Sequence, residues 1–115
     1  FYDLKQKLEK QKIKNMKSLV VQPGLALTNL GATTAATGGM DVNSPIMESA
    51  QSAEDGALGI LRACADKKAQ SGDFYGPKEW TGFPELLPPE DLLLDPENIR
   101  IKWEGCEAAV GEFRF

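Results

Sequence analysis

The segment Leu19–Leu30, LVVQPGLALTNL, decides the fold that this sequence predicts. Its three consecutive apolar residues, Leu19 to Val21, are typical of a short strand covered on both faces, as in a parallel sheet. Pro23 ends strand pairing, and Gly24 allows the backbone to pass close to a flat ring. Because ligands of open α/β sheets bind at the carboxyl ends of strands, the segment predicts a ligand-facing strand end. A Pro-Gly pair after a strand also occurs in ordinary turns, and that alternative stays open.

A helix is predicted before this strand, over Phe1–Lys14, with an i,i+4 ion pair between Asp3 and Lys7. Its apolar residues share one face: Phe1, Leu4 and Leu8. The strand itself is placed at Ser18–Gln22. A helix followed by a short turn and a buried strand makes up half of a βαβ unit.

A long connection and a second helix are predicted after the Pro-Gly pair. Gly31–Gly39, GATTAATGG, is small and weakly polar, which predicts irregular structure, and the connection continues to about Gln51. Ser52 and Asp55 have the spacing of a capping box, so we expect a helix over Ala53–Lys67. The apolar side of this helix is predicted to comprise Ala57, Leu58, Ile60, Leu61 and Cys64.

Glycines and cysteines on the predicted helices indicate packing rather than catalysis. Gly56 and Gly59 weaken a helix, so we expect them to permit close approach of a neighbouring element. Cys64 and Cys106 fall on apolar helical faces, which favours small buried side chains in a reducing compartment over a disulfide. With two cysteines and no histidine, a structural metal site is not expected, and Ser-His-Asp and Cys-His catalysis are excluded within this chain.

The last third of the chain predicts a strand, a loop and a helix. Phe74–Tyr75 is a short strand, and residues 78–94, which contain three prolines, form a loop. Asp95 followed by Pro96 is a typical helix start, and Gly111 stands where a left-handed C-terminal residue belongs. The apolar stripe of this helix is Ile99, Trp103, Cys106 and Val110.

Composition indicates one small globular domain. The chain has 115 residues, of which 42% are hydrophobic and 26% charged, and no stretch is long and apolar enough to span a membrane. Six lysines lie among the first 17 residues, but this run lacks arginine and interleaved aromatics, and the rest of the chain is acidic. A solvated helix face is therefore favoured over a nucleic-acid or membrane surface. The start at Phe1, with no secretory signal, leads us to expect a fragment.

The order of motifs along the chain resembles a known family. Pro-Gly-x-x-x-Thr at Pro23–Thr28 is followed by a long loop, an SAEDGA helix, a GDFYGP strand and the terminal KWEGCEAAVGEFRF. This succession resembles the C-terminal half of a short-chain dehydrogenase/reductase (SDR), closest to retinol-dehydrogenase-like and protochlorophyllide-reductase-like members. Cys106 replaces a serine that is common in those tails. The resemblance implies an α/β fold: the C-terminal part of a Rossmann-type doubly wound parallel sheet, about two strands and three helices, with the first βαβ units missing.

The resemblance also implies a cofactor site. Pro23 and Gly24 would lie beside the nicotinamide ring of NAD or NADP. The backbone of Ala26 would hydrogen-bond the carboxamide, and Thr28 would support that group or the phosphates. Residues 31–51 would form the substrate loop over a small-molecule alcohol or carbonyl compound.

The chain as a whole, residues 1–115, would then be part of a single nucleotide-binding domain, with 95–115 as its C-terminal helix and tail. The helix over residues 1–14 would be the rear part of the helix that carries the catalytic Tyr-x-x-x-Lys, and it would be a possible homodimer surface. The reducing compartment that the cysteines favour leads us to expect a cytoplasmic protein, and the acidic remainder of the chain predicts no nucleic-acid partner.

The groups that transfer the proton are missing from this sequence. Tyr2 is followed four residues later by Gln6 and not by lysine, so the catalytic tyrosine and lysine are expected before Phe1. The Gly-rich phosphate loop and the catalytic serine are absent as well, so this chain alone is expected to be inactive. Two alternatives stay open: a truncated, non-catalytic SDR-like protein that acts through a helical pairing surface, and an unrelated small α/β domain. Parallel pairing of Ser18–Gln22 with Asp73–Tyr75 would argue against the second.

Overall fold

The computed structural model describes residues 2–34, 37–39, 41, 43–89 and 91–112, which form a mixed α/β structure. Its helices are α1 (Tyr2–Lys10), α2 (Asn29–Thr34), α3 (Ala53–Ala65), α4 (Asp91–Leu94) and α5 (Pro96–Val110). A 3₁₀ helix covers Pro45–Ser49. The strands are β1 (Val20–Val21), β2 (Phe74–Gly76) and β3 (Glu85–Leu87).

Strands β1 and β2 are neighbours in the sheet, which has the order β1-β2-β3. The backbone N–H of Val20 donates to the carbonyl of Asp73 at 2.9 Å, and that of Gln22 donates to Tyr75 at 2.8 Å. Both segments advance in the same direction from the first bond to the second, so the pair is parallel. Helix α3 connects the two strands, as expected for a βαβ unit.

Strand β3 makes the sheet mixed. It pairs antiparallel with β2, placing Phe74 opposite Leu87 and Gly76 opposite Glu85. The two strands predicted to pair in parallel do so, as β1 and β2, but the sheet has a third, antiparallel strand and the described residues form five α-helices where three were predicted. The prediction of a loop over residues 78–94 is wrong, because these residues contain β3 and α4. Strand β3 was not predicted because a proline stands directly before and directly after its three residues, and proline usually interrupts a strand. A short strand at the edge of a sheet tolerates prolines at its ends.

The described residues divide into two compact units. One comprises the described residues up to Val20, Gln70–Asp73 and those from Pro88 onward; the other comprises those of Val21–Ala69 and Phe74–Leu87. In the first unit Leu8 and Ser18 are buried. The second unit buries Ala63, Ala69 and Tyr75, and the Tyr75 hydroxyl donates to Asp66 at 3.1 Å.

Helix α1 ends at Lys10, four residues before the predicted end. Lys12 has a φ of +57°, and its N–H donates to the carbonyl of Glu9 at 3.0 Å. The N–H of Ile13 donates to Leu8 at 2.9 Å. These two bonds are those of a Schellman motif, with lysine at the position that glycine usually occupies. The glycine signal for a helix end is missing, which is why the sequence predicts a longer helix.

The predicted partner of Lys7 is also wrong. Its ammonium Nζ lies 2.7 Å from Glu107 on α5 and 4.1 Å from the ring centroid of Trp103, so it pairs with α5 and not with Asp3. The positive charge of a half-buried lysine is stabilised more by a carboxylate and an aromatic face together than by an exposed i,i+4 ion pair.

Helix α3 begins as predicted, because the Ser52 hydroxyl accepts from the N–H of Asp55 at 3.0 Å. It ends at Ala65 and not at Lys67, since the extended C-cap residue Asp66 accepts with its carboxylate from the N–H of Lys68. Its buried residues are small: Gly56, Gly59 and Ala63. Three residues of the predicted apolar side are exposed instead, namely Ile60, Leu61 and Cys64.

Helix α2 lies in a stretch that the sequence predicts to be irregular. Its threonines use their hydroxyls locally: Thr33 donates to the carbonyl of Asn29, and Thr34 donates to that of Leu30 at 2.7 Å. Bonds of this kind satisfy the polar side chains within a short helix, so a small, weakly polar composition does not prevent it.

Helix α5 begins at the predicted residues. The Asp95 carboxylate accepts from the N–H of Asn98 at 2.9 Å, and Gly111 at the C-cap has a φ of +91°. Cys106, predicted to be buried with Cys64, is an exposed free thiol, as is Cys64. Among the described residues, no helix has the length and apolar character needed to cross a membrane.

Candidate functional site

The Pro-Gly turn lies at the carboxyl end of β1 and packs on the backbone of the loop before β3. Gly24 has a φ of +72°, and a Cβ at this position would lie 2.6 Å from the carbonyl oxygen of Trp80. The same carbonyl accepts from the N–H of Leu25 at 2.6 Å. Both the backbone angle and the close approach therefore require glycine at this position.

The segment after the turn is held by a second stretch of backbone. Ala26 forms an isolated parallel bridge with Gln51. Gln51 donates to the carbonyl of Leu25 at 3.0 Å, and its own carbonyl accepts from Leu27 at 2.9 Å. The side-chain amide of Gln51 donates to the carbonyl of Pro23 at 2.7 Å and accepts from the N–H of Gly82 at 2.9 Å. Gln51 thus joins its own segment to residues 23–27 and to Gly82 at this strand end.

Helix α3 supports the same segment from its first turns. A Cβ on Gly56 would lie 2.9 Å from the Cβ of Ala26, and one on Gly59 would lie 2.8 Å from Cγ1 of Val21. Real Cβ atoms do not approach so closely without movement of a neighbour, so glycine sets the distance between helix and strand. The expectation that Gly56 and Gly59 permit close approach is confirmed.

Thr28 occupies the position before α2. Its hydroxyl accepts from the N–H of Leu30 at 3.4 Å, in the manner of a helix N-cap. The side chain is exposed, so the hydroxyl also has room to meet a ligand.

A cavity of about 370 Å³ opens beside these residues. It is lined by three of the four predicted cofactor residues, Gly24, Ala26 and Thr28, whereas Pro23 is not part of its lining. The predicted substrate loop contributes Gly31, Thr34, Gly39 and Met47, and Leu25 and Leu30 complete the lining. Ala35, Ala36, Met40 and Val42 of that loop lie outside the described residues. The volume falls within the range of small-molecule sites.

The chemistry of this cavity is that of binding. The described residues of its lining are glycine, alanine, leucine, methionine and threonine, and none has an ionisable side chain. They offer apolar surface, two hydroxyls and backbone groups, which suit a flat ring with a polar substituent. They hold no group that exchanges a proton near neutral pH.

Two carboxyl groups with a lowered pKa, those of Asp66 and Glu97, lie away from this cavity. The N–H of Lys68 and the hydroxyl of Tyr75 lower the pKa of the Asp66 carboxyl, because both donate to its charged form. The Arg100 guanidinium lowers the pKa of Glu97 by the same effect. Neither carboxylate lines the cavity beside Gly24.

A second cavity, of about 310 Å³, lies between α1 and α5 in the first unit. Its charged side chains largely neutralise one another: Lys7 pairs with Glu107, and Arg100 pairs with Glu104 at 2.7 Å. No cluster of three or more metal-ligating side chains occurs in the part of the chain that the structure describes.

Sequence reasoning missed Gln51 as a member of the site. It stands between a loop and a helix cap, where neither periodicity nor a motif marks it, and its importance depends on bonds to residues distant in the chain. Comparison with known proteins adds no assignment: no protein-family model matches the chain, and no curated protein or solved structure matches it significantly.

Proposed function

We propose that this chain forms the nicotinamide-side wall of an NAD(P)-dependent oxidoreductase of the SDR type, as its C-terminal part. The observation that carries the proposal is the cavity at the carboxyl end of β1, where Gly24, Ala26 and Thr28 meet residues of the 31–51 loop. Strand ends of α/β sheets are the usual ligand sites of such folds. The parallel pairing of β1 with β2 is the pairing that the SDR resemblance implies, and it further supports the proposal.

The wall fits a flat ring. The missing side chain of Gly24 is what lets the Trp80 carbonyl lie against it, and the cavity beside this turn offers apolar surface. Thr28, which lines the cavity, would support the amide group of a nicotinamide or a phosphate with its hydroxyl. The dinucleotide, when bound, supplies hydride transfer to or from an alcohol or carbonyl substrate.

Proton transfer is assigned to residues outside this chain. The described lining has no ionisable side chain, and the reaction requires a positioned acid or base. The proposal therefore places the catalytic serine, tyrosine and lysine in sequence before Phe1. The chain by itself is expected neither to bind NAD(P)H nor to oxidise alcohols.

The first test is the coding sequence that precedes Phe1 in the transcript. A Gly-rich βαβ start and a Tyr-x-x-x-Lys motif shortly before Phe1 are the expected findings. An initiator methionine directly before Phe1 would overturn the enzyme proposal for this polypeptide and leave the non-catalytic pairing protein. Enhanced NADPH fluorescence with the 115-residue chain alone would contradict the assignment of the phosphate site to the preceding sequence.

The second test uses the complete protein. We expect Thr28→Val to raise the KM for NAD(P)H about tenfold, the effect of losing one hydrogen bond to a bound ligand. Thr28→Ser retains the hydroxyl and should restore the KM, which assigns the effect to the hydroxyl and not to the methyl group. Thr33→Val is the matched control, because Thr33 bonds only within α2 among the bonds described for it and does not line the cavity. Equal effects of the Thr28 and Thr33 substitutions would contradict the proposed contact.

A further inference from the structure

Gln51 occupies the junction of three backbone segments at the candidate site. Its own N–H and carbonyl bond to Leu25 and Leu27, and its side-chain amide bonds to Pro23 on one side and Gly82 on the other. All four hydrogen bonds are 3.0 Å or shorter. The cavity wall begins at Gly24, directly after the carbonyl that this amide holds.

The two side-chain bonds need an amide. The carbonyl of Pro23 accepts and therefore requires a donor, whereas the N–H of Gly82 requires an acceptor. Glutamine provides both on one rigid planar group. A glutamate of the same length would keep the acceptor but lose the donor, and methionine would lose both.

Backbone contacts already join the Pro23-Gly24 turn to the loop before β3. Among the described residues, they do not provide a hydrogen-bond donor for the carbonyl of Pro23. Leu25 donates to Trp80, and Gly24 packs against the same carbonyl oxygen. Within the described structure, the Gln51 amide supplies the bond at Pro23 and a second link to the loop two residues beyond Trp80. The orientation of the peptide between Pro23 and Gly24 therefore depends on this side chain.

We propose that Gln51 is a positioning residue that fixes the Pro23–Gly24 peptide, and with it the cavity wall, relative to the loop at Gly82. Its effect on nicotinamide binding rests on the function proposed above, whereas the positioning itself can be measured without a nucleotide.

Amide hydrogen exchange of the complete protein, without a nucleotide, tests the positioning directly. In Gln51→Met we expect the Gly82 amide to exchange about tenfold faster, because its acceptor is lost. The Gln22 amide, which bonds to Tyr75 in the sheet, should keep its rate, so that a general loss of folding is recognised. Gln11→Met, at an exposed position after α1, is the matched control and should change neither rate.

Gln51→Glu provides a rescue by pH. Near neutral pH the carboxylate still accepts from Gly82, but it has no proton to donate to the Pro23 carbonyl. The Pro23–Gly24 peptide is then no longer fixed, so the bond from the next amide, that of Leu25, to Trp80 should weaken and its protection from exchange should fall. Below about pH 4, near the ordinary pKa of a glutamate, the protonated carboxyl donates again, and protection corrected for intrinsic exchange should return. Wild-type exchange of Gly82 that equals that of Gln51→Met, or no recovery of Gln51→Glu in acid, would overturn the positioning role.

The complete protein separates this inference from the proposed function. Gln51→Met should raise the KM for NAD(P)H about tenfold and change kcat by less than about twofold. An unchanged KM in an enzyme that Thr28→Val impairs would overturn the inference and leave the function intact. If Gln51→Met loses exchange protection at Gly82 but the complete protein never binds NAD(P)H, the positioning role stands and the proposed function is overturned.

Discussion

Lys12 has a backbone conformation that side chains rarely adopt. With a φ of +57° it ends α1 in a Schellman motif, although lysine has a Cβ that crowds the following carbonyl there. The two reverse hydrogen bonds to Glu9 and Leu8 offset this crowding. The chain therefore holds a local strain that glycine would not have.

Lys12→Gly is expected to stabilise the protein by about 1 kcal/mol, since the strain of the left-handed conformation is removed. Lys10→Gly, at the last residue of α1, is the matched control and should destabilise by about 1 kcal/mol, because glycine is a poor helix former. Urea unfolding followed by tryptophan fluorescence measures both. A lower midpoint for Lys12→Gly would show that the motif does not form.

Individual site residues were predictable from sequence where their backbone chemistry is intrinsic. Proline and glycine restrict or extend the allowed angles wherever they occur, so the turn at Pro23-Gly24 follows from the residues alone. Gln51 and the partner of Lys7 were not predictable, because a flexible polar side chain chooses among partners that only the fold brings near.

At the scale of elements, α3 shows how small residues set a packing distance. Gly56 and Gly59 face Ala26 and Val21, and the buried face of the helix is formed by small residues. The larger Ile60 and Leu61 are 54% and 62% exposed. A hydrophobic count along the helix therefore indicates the wrong buried face, whereas the glycine spacing indicates the right one.

Two glycine-to-alanine substitutions test this packing. Gly56→Ala should destabilise by about 1 kcal/mol, because the overlap with Ala26 exceeds the gain in helix propensity. Gly105→Ala, in the middle of α5 with nothing within 4 Å of the new Cβ, should stabilise by about 1 kcal/mol. Thermal unfolding of both variants gives the comparison, and stabilisation by both substitutions would refute the close approach at Ala26.

Elements with strong end signals were found by sequence, and those without them were not. Ser52 and Asp95 cap α3 and α5 at the predicted residues, since a side-chain acceptor at an N-cap acts locally. Helix α2 and strand β3 are short, and they have weak intrinsic preferences, so the surrounding structure decides them. The end of α1 was misplaced because lysine stands at its glycine position.

The molecule as a whole keeps considerable apolar surface exposed among its described residues. Leu30 and Phe83 are 69% and 71% exposed, and further large apolar side chains are at least half exposed: Met16, Leu27, Ile60, Leu61, Trp80, Leu86, Ile101 and Val110. Mixed α/β class followed from sequence because helical and strand periods alternate along the chain. The parallel pairing of β1 with β2 was also predicted, whereas the antiparallel pairing of β3 was not, because it depends on a pairing across residues 77–84.

The mixed sheet joins one pairing between neighbours in the chain and one between distant segments. Strand β3 reaches β2 through a single short loop, whereas Gln22 meets Tyr75 only after all of α3 has been placed. Closing a longer loop loses more chain entropy before any bond repays it, and such pairings form slowly. We therefore expect the β2–β3 hairpin to assemble first and β1 to join late in refolding. Pulsed hydrogen labelling checks the order, which fails if the Gln22 amide is protected before that of Leu87.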